Sequence, residues 1–238
     1  MNNTFSSNDR VGDIVTRFPK SSEIFKDYAI DFCCRGNRKL KDVIEQQKLD
    51  ELNLLDRLNK EYEKYWTDEK DYKDWNKAAY SELVEHIVKA HHSYLLRELP
   101  IIAELTDKIE EVHGRQHEEL HRVNSLFRVM KHELEEHMIK EEEIVFPQIL
   151  EYERTKSQEA LNRALQVVIE LENEHEAAGD ILKELRRITY QFSPPQGGCT
   201  TYCLTYKKLE ELETDIFQHI HLENNILHQR LLNEQIRA

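Results

Sequence analysis

Residues 120–144 read LHRVNSLFRVMKHELEEHMIKEEEI. One side of this stretch carries Leu120, Val123, Phe127, Met130, Leu134, His137, Glu141 and Ile144. The steps alternate between three and four residues, the spacing that lines a single face of an α-helix. His137 and Glu141 therefore fall on the stripe that such a helix turns towards a core. Three further stretches behave alike. One carries Leu161, Ala164, Val168, Leu171, His175, Ala178, Leu182 and Leu185; another carries Leu209, Leu212, Ile216, His219, Glu223 and Ile226. A shorter one runs Ala79, Leu83, His86 and Ala90. Helices are expected over about 77–100 (continuing beyond Pro100 with a kink), 118–147, 157–190 and 202–233. Four long helices with one apolar stripe each describe an all-α fold built on a four-helix bundle.

Composition agrees. The chain of 238 residues has only six Gly and five Pro, too few for the frequent turns of a β-sandwich or barrel. Its 33 basic and 46 acidic residues leave a formal charge of −13, which disfavours binding nucleic acid through phosphates. No apolar run approaches the roughly 18 residues of a membrane span, and the start MNNTFSSNDR lacks the apolar segment of a secretory signal. A cytoplasmic protein with no membrane partner is expected. Four cysteines are too few for a disulfide scaffold, and Cys33 and Cys34 are adjacent, a poor geometry for a structural bridge.

Outside the bundle, residues 1–60 read as a small helical domain. Its apolar positions are Val11, Ile14, Val15 and Phe18, then Ile24, Phe25 and Tyr28, then Leu40, Val43 and Ile44. A break at DFCCRG (31–36) carries the adjacent cysteines. Residues 61–76, EYEKYWTDEKDYKDWN, are charged and aromatic with weak periodicity and are expected to be a linker to the bundle at 77–238, with a poorly packed helix as the alternative.

The histidines carry the chemistry. Each of the four stripes has one, and two stripes add a Glu one turn later: His86, His137 with Glu141, His175, and His219 with Glu223. Residues four apart share a helix face, so both members of each His-x-x-x-Glu reach one centre. A lone histidine on an apolar face is more often a hydrogen-bonded core residue. Two buried carboxylates among four imidazoles would make a poor core without a cation between them. A pair of metal ions answers this, with imidazoles as neutral donors and the carboxylates as bridges, as in di-iron and di-manganese bundles. With no cysteine on the stripes, zinc–thiolate and iron–sulfur ligation are disfavoured there. Among the remaining histidines, His132, His221, His117, His121 and His228 are expected at the surface. At most one of His91 and His92 can approach the centre, beside its ligands, and His113 extends the second stripe as a candidate for the pocket mouth.

The segments HMIKEEEIVFPQI (137–149) and HIHLENNIL (219–227) resemble the hemerythrin-like, HHE-type family. More closely, the chain resembles the ScdA-type iron–sulfur cluster repair proteins, also called repair of iron centres. HHSYLLRELP (91–100), VHGRQHEEL (112–120), ENEHEAAGDIL (172–182) and the N-terminal Asp31-Phe32-Cys33-Cys34 carry that likeness over nearly the whole chain. One departure is Leu227-His228-Gln229-Arg230, where similar proteins tend to have Leu-Phe-Pro-Arg. The resemblance implies a non-haem centre of two Fe ions, carboxylate- and oxo-bridged, on His86, His137, Glu141, His175, His219 and Glu223. It also implies repair of clusters damaged by nitrosative or oxidative stress, with damaged iron–sulfur proteins as partners and iron as what is supplied. Two alternatives stand beside it: reduction of NO to N2O at the paired irons, and O2 or NO binding or sensing. Cys33 and Cys34, near Arg35 and Arg38, are candidate redox or iron-transfer thiols; Cys199 and Cys203 receive no role. A homodimer is compatible with the sequence.

Overall fold

The computed structural model describes residues 4–68 and 73–237, and among these the chain is helical with no strand. It divides into two compact units: Tyr80–His219, and the N-terminal 79 residues together with Ile220–Arg237. No helix of the described residues is long and apolar enough to cross a membrane.

The N-terminal segment forms α1 (Val11–Arg17), α2 (Ser21–Asp27), α3 (Leu40–Gln47) and α4 (Glu51–Asp68). Its core is Phe5, Val11, Ile14, Phe18, Phe25, Phe32, Leu40, Leu54 and Leu58, all essentially buried. The expected linker at 61–76 begins instead as helix, because α4 runs on to Asp68; residues 69–72 lie outside the described residues. The reason is aromatic. Tyr62 and Tyr65 continue the stripe of Leu54 and Leu58, with Tyr62 edge-on to Phe5 at 4.9 Å and Tyr65 against Phe18 at 5.3 Å. Such ring contacts extend the helix past the point where aliphatic periodicity fades.

Ile220–Arg237 completes this unit, and it overturns two expectations of surface exposure. His221 is buried, its Nε2 3.3 Å from Thr16 Oγ1 and its ring edge-on to Phe32 at 6.1 Å. Burial there pulls the imidazole down to about 4, so it stays neutral at physiological pH. His228 is buried as well. Asn225 donates from Nδ2 to the carbonyls of Phe32 and Cys33, at 3.2 and 2.9 Å. Gly12 and Gly36 close on its Oδ1 so tightly that a Cβ at either position would collide with it.

The other unit is the bundle. Its first rod is α5 (Tyr80–His86), a π-helical turn Ile87–His92, and α6 (Ser93–His113), which passes through the exposed Pro100 without ending. The second is α7 (Glu119–Lys140), a π-turn Glu141–Val145, and α8 (Phe146–Thr155). The third is α9 (Gln158–Ile188), whose N-cap Ser157 accepts from the Ala160 amide. The fourth is α10 (Thr200–His221); past His219 the same helix leaves this unit and continues as a π-turn Leu222–Leu227 and α11 (His228–Arg237). All eight stripe positions of α9 are buried, as are Leu209, Leu212, Ile216, His219, Glu223 and Ile226 on the fourth rod. On the second rod the stripe holds from Leu120 to Glu141, but Ile144 is 52 % exposed while Val145 and Phe146 are buried. The π-turn adds a residue to that turn and so advances the inward face by one position.

Candidate metal centre

On the first rod the α-period stripe Ala79–Leu83–His86–Ala90 gives way to another. Ala79 and Ala90 are exposed and His86 is only partly buried, its ring 5.8 Å from that of His91. The side chains buried completely, up to Ile102, are Leu83, Ile87, His92, Leu95, Leu99 and Ile102. From Ile87 to His92 the step is five, because these residues form the π-turn. His92, rather than His86, therefore points to the centre. Counting back from Ile102 through Leu99 and Leu95 at helical spacing lands on His92, a signal that a forward count from Ala79 misses.

Two pairs of imidazoles converge. His92 Nε2 lies 3.3 Å from His219 Nε2, and His137 Nε2 lies 2.9 Å from His175 Nε2. Glu141 stands between the pairs: Oε1 is 3.4 Å from His137 Nε2, while Oε2 is 3.3 Å from His92 Nε2 and 3.9 Å from His219 Nε2. Glu223 lies one turn beyond His219 on the same continuous rod, and both carboxylates are wholly buried. Potential donor atoms of His92, Glu141 and His219 lie within 4.8 Å of one another, and so do those of His137, Glu141 and His175. Of the six expected ligands, His137, Glu141, His175 and His219 come together here; His86 stays outside and His92 joins them, while Glu223 belongs to the other unit.

The outward ring nitrogens are also held. His92 Nδ1 is 2.7 Å from Glu142 Oε1, and His137 Nδ1 is 2.7 Å from Glu174 Oε2. A carboxylate only accepts, so in the neutral imidazoles Nδ1 carries the hydrogen and Nε2 presents a bare lone pair inward. Lys140 binds Glu174 from the other side. Hydrogen bonding to His137 and then to Lys140 outweighs burial and holds the Glu174 carboxyl at about 2. Behind His219, the His91 ring stacks at 5.5 Å, nearly parallel, and its Nδ1 lies 3.0 Å from Asp215 Oδ1. Glu142 and Glu174 were invisible to stripe counting, because each meets its histidine across helices.

This donor set fits a pair of cations. The dry Glu141 carboxylate needs a compensating positive charge, and the paired Nε2 atoms at 2.9 and 3.3 Å stand close enough to share one ion. Neutral nitrogen with carboxylate oxygen suits iron, manganese or zinc.

The remaining candidates lie elsewhere. His113 ends α6, 21 residues beyond His92, so about 1.5 Å of rise per residue puts it roughly 30 Å along the rod from the centre. There its Nε2 is 3.2 Å from Cys199 Sγ, so it lines no mouth of this site. His132 and His121 are exposed, and His117 is partly buried near Tyr202. Cys33 and Cys34 sit with sulfurs 3.4 Å apart beside Asp31, whose Oδ1 accepts from the amides of Cys34 and Arg35 at 3.0 and 3.3 Å. Burial pushes the Cys33 thiol well above its ordinary value, so it is protonated at neutral pH and no ready nucleophile. Asp31, Cys33 and Cys34 also cluster within 4.8 Å.

Comparison with known proteins agrees with this geometry. Residues 7–62 match the ScdA_N domain, a domain of unknown function, and residues 83–231 match the hemerythrin HHE cation binding domain. The chain is 33% identical over 232 residues to a probable iron-sulfur cluster repair protein of Haemophilus influenzae, covering 95% of this chain and 97% of that protein. It is 30% identical over 217 residues to the iron-sulfur cluster repair protein ScdA of Staphylococcus haemolyticus, covering 91% and 95%. With YtfE of Pectobacterium carotovorum, another iron-sulfur cluster repair protein, it shares 29% over 222 residues, covering 93% and 96%. An HHE cation-binding bundle behind an ScdA_N domain, matched end to end by these relatives, places the chain in the ScdA/YtfE family of iron–sulfur cluster repair proteins.

Proposed function

We propose that this protein repairs iron–sulfur clusters by supplying iron from a two-metal centre. In this reading His92 and His219 would hold one ion and His137 and His175 the other, with Glu141 and Glu223 as their carboxylate ligands. The observation that carries it is Glu141, one oxygen turned to each imidazole pair. The names of the relatives favour repair over reduction of nitric oxide.

The bound irons would supply the transferable metal and its redox chemistry. The chain's own part is to orient and to release. Glu142 and Glu174 fix the ring planes and tautomers of His92 and His137, which sets Nε2 as the donor before metal arrives. Glu141 and Glu223 would supply carboxylate oxygens that offset the charge of the ions in a dry interior. Clusters damaged by nitric oxide or peroxide are the substrates this reading implies, in the cytoplasm, where thiols stay reduced. Cys33 and Cys34, with Asp31, would hold iron in transit.

Iron-loaded protein incubated anaerobically with a dehydratase that has lost one iron from its cluster tests the function. Recovery should exceed that from equimolar free ferrous iron, and equal recovery would remove iron donation. Cys33→Ser with Cys34→Ser should lower recovery while the spectrum of the metal centre stays unchanged.

A further inference from the structure

Between α7 and α9 a cavity of about 400 Å³ opens to solvent, and its inner wall is made by His137 and His175. Both histidines are otherwise buried and belong to the centre, so the cavity leads directly to one of its two imidazole pairs. Its rim carries Glu133 and Glu136 from α7 and Glu170 and Glu174 from α9, against a single ammonium, Lys140. Four carboxylates against one cation leave three net negative charges. Ala177 and Ala178 line it too, and their short side chains leave the width open.

Lys140 occupies a particular point of this cavity. Its Nζ binds Glu170 and Glu174 together, while the other Glu174 oxygen receives the His137 Nδ1 hydrogen. A cation is thus already seated between two carboxylates, one residue from a ligand of the centre. An ammonium is a compact, well-hydrated point charge on a flexible stem, so it can leave that seat by rotation of its own chain. Carboxylate oxygens can in turn replace water around an incoming metal ion before it reaches the dry interior. An anion would be repelled by this rim, and a neutral gas would need none of its charges.

We propose that this cavity is the passage by which a divalent metal cation enters and leaves the centre, with Glu170 and Glu174 as its way station and the Lys140 ammonium as the placeholder it displaces. The passage rests on the two-metal reading and names the route for its cargo.

Cobalt(II) tests it, since uptake is followed by visible absorption and release by stopped-flow capture with EDTA. Removing the placeholder in Lys140→Met should speed both uptake and release, on the order of tenfold. Combining Glu133→Gln, Glu136→Gln and Glu170→Gln should slow uptake by about as much and flatten its dependence on ionic strength. Glu174 is left intact because it also orients His137. Full uptake with rates and salt dependence unchanged in both variants would overturn the passage alone. Absence of cobalt uptake by the unsubstituted protein would overturn the centre, and the passage with it.

Discussion

His92 and His86 offer the sharpest separation, since they compete for one place in the centre. His92→Ala removes one of four imidazoles from a set that it meets at 3.3 Å through both His219 and Glu141. His86→Ala removes a partly buried ring that stands edge-on to His91 and outside the donor cluster. Losing an outer partner of a metal ligand typically costs 10–100-fold in affinity, so losing the ligand itself should cost at least about 100-fold, or roughly 2.7 kcal/mol. The fold should tolerate it. The ring is wholly buried, and its hydrogen bonds to Glu142 and His219 disappear with it, so the metal-free protein should lose about 2–4 kcal/mol. Metal content after a graded chelator challenge reads the affinity, and the thermal midpoint with and without metal reads the linkage. His92→Ala should retain about half the metal and lose most of the metal-dependent rise in Tm; His86→Ala should behave as the unsubstituted protein does. The opposite pattern, with His86→Ala stripped of metal and His92→Ala still loaded, would refute the assignment and the π-turn reasoning beneath it.

Glu174→Gln and Glu142→Gln should each weaken metal retention by about 10–100-fold while leaving helix content unchanged, because each turns a ligand ring rather than binding metal. Equal chelator resistance in both variants and the parent would argue against that orienting role. In the bundle, Glu98 on α6 pairs with Lys208 on α10 at 2.9 Å, and this pairing, with Arg97, holds its carboxyl below the usual range despite burial. Its folded value is depressed, so the stabilisation is fully present above the ordinary carboxylate range and is lost as pH falls from there through the lower folded value. Glu98→Gln should therefore cost roughly 1 kcal/mol at pH 7, and the cost should shrink steadily as the pH falls below the ordinary carboxylate range, read from urea melts along that series. Asn225→Ala deletes two hydrogen bonds to the Phe32 and Cys33 carbonyls and should lower stability by about 1–3 kcal/mol, checked by urea denaturation of the metal-free protein.

Helical periodicity is a local property, and it was legible wherever the turn stayed regular. From Leu161 to Leu185 all eight stripe positions on α9 are buried, and His175 is among them. The same count places His137, Glu141, His219 and Glu223 inside, and all four are buried. It failed at the wider turns. The segments Ile87–His92, Glu141–Val145 and Leu222–Leu227 are π-helical, and each carries or adjoins a residue of the centre. One residue added to a turn shifts the inward face by about 100°, which exchanges His86 for His92 and Ile144 for Val145. Those turns sit where ligands from separate rods must meet, and their geometry depends on what packs opposite.

What the residues alone determined was the class of the fold and the chemistry of its interior: amphipathic rods, with imidazole and carboxylate where leucine would otherwise stand. The hydrophobic effect acts on a pattern that is written in order along the chain, so that much needs no partner helix. Tertiary structure decided the rest. It chose His92, set Glu142 and Glu174 behind the rings, turned the aromatic stretch at 61–68 into helix, buried His221, and carried His113 to the far end of α6. Each of these depends on a contact between residues distant in sequence, and no count along one helix contains the position of another.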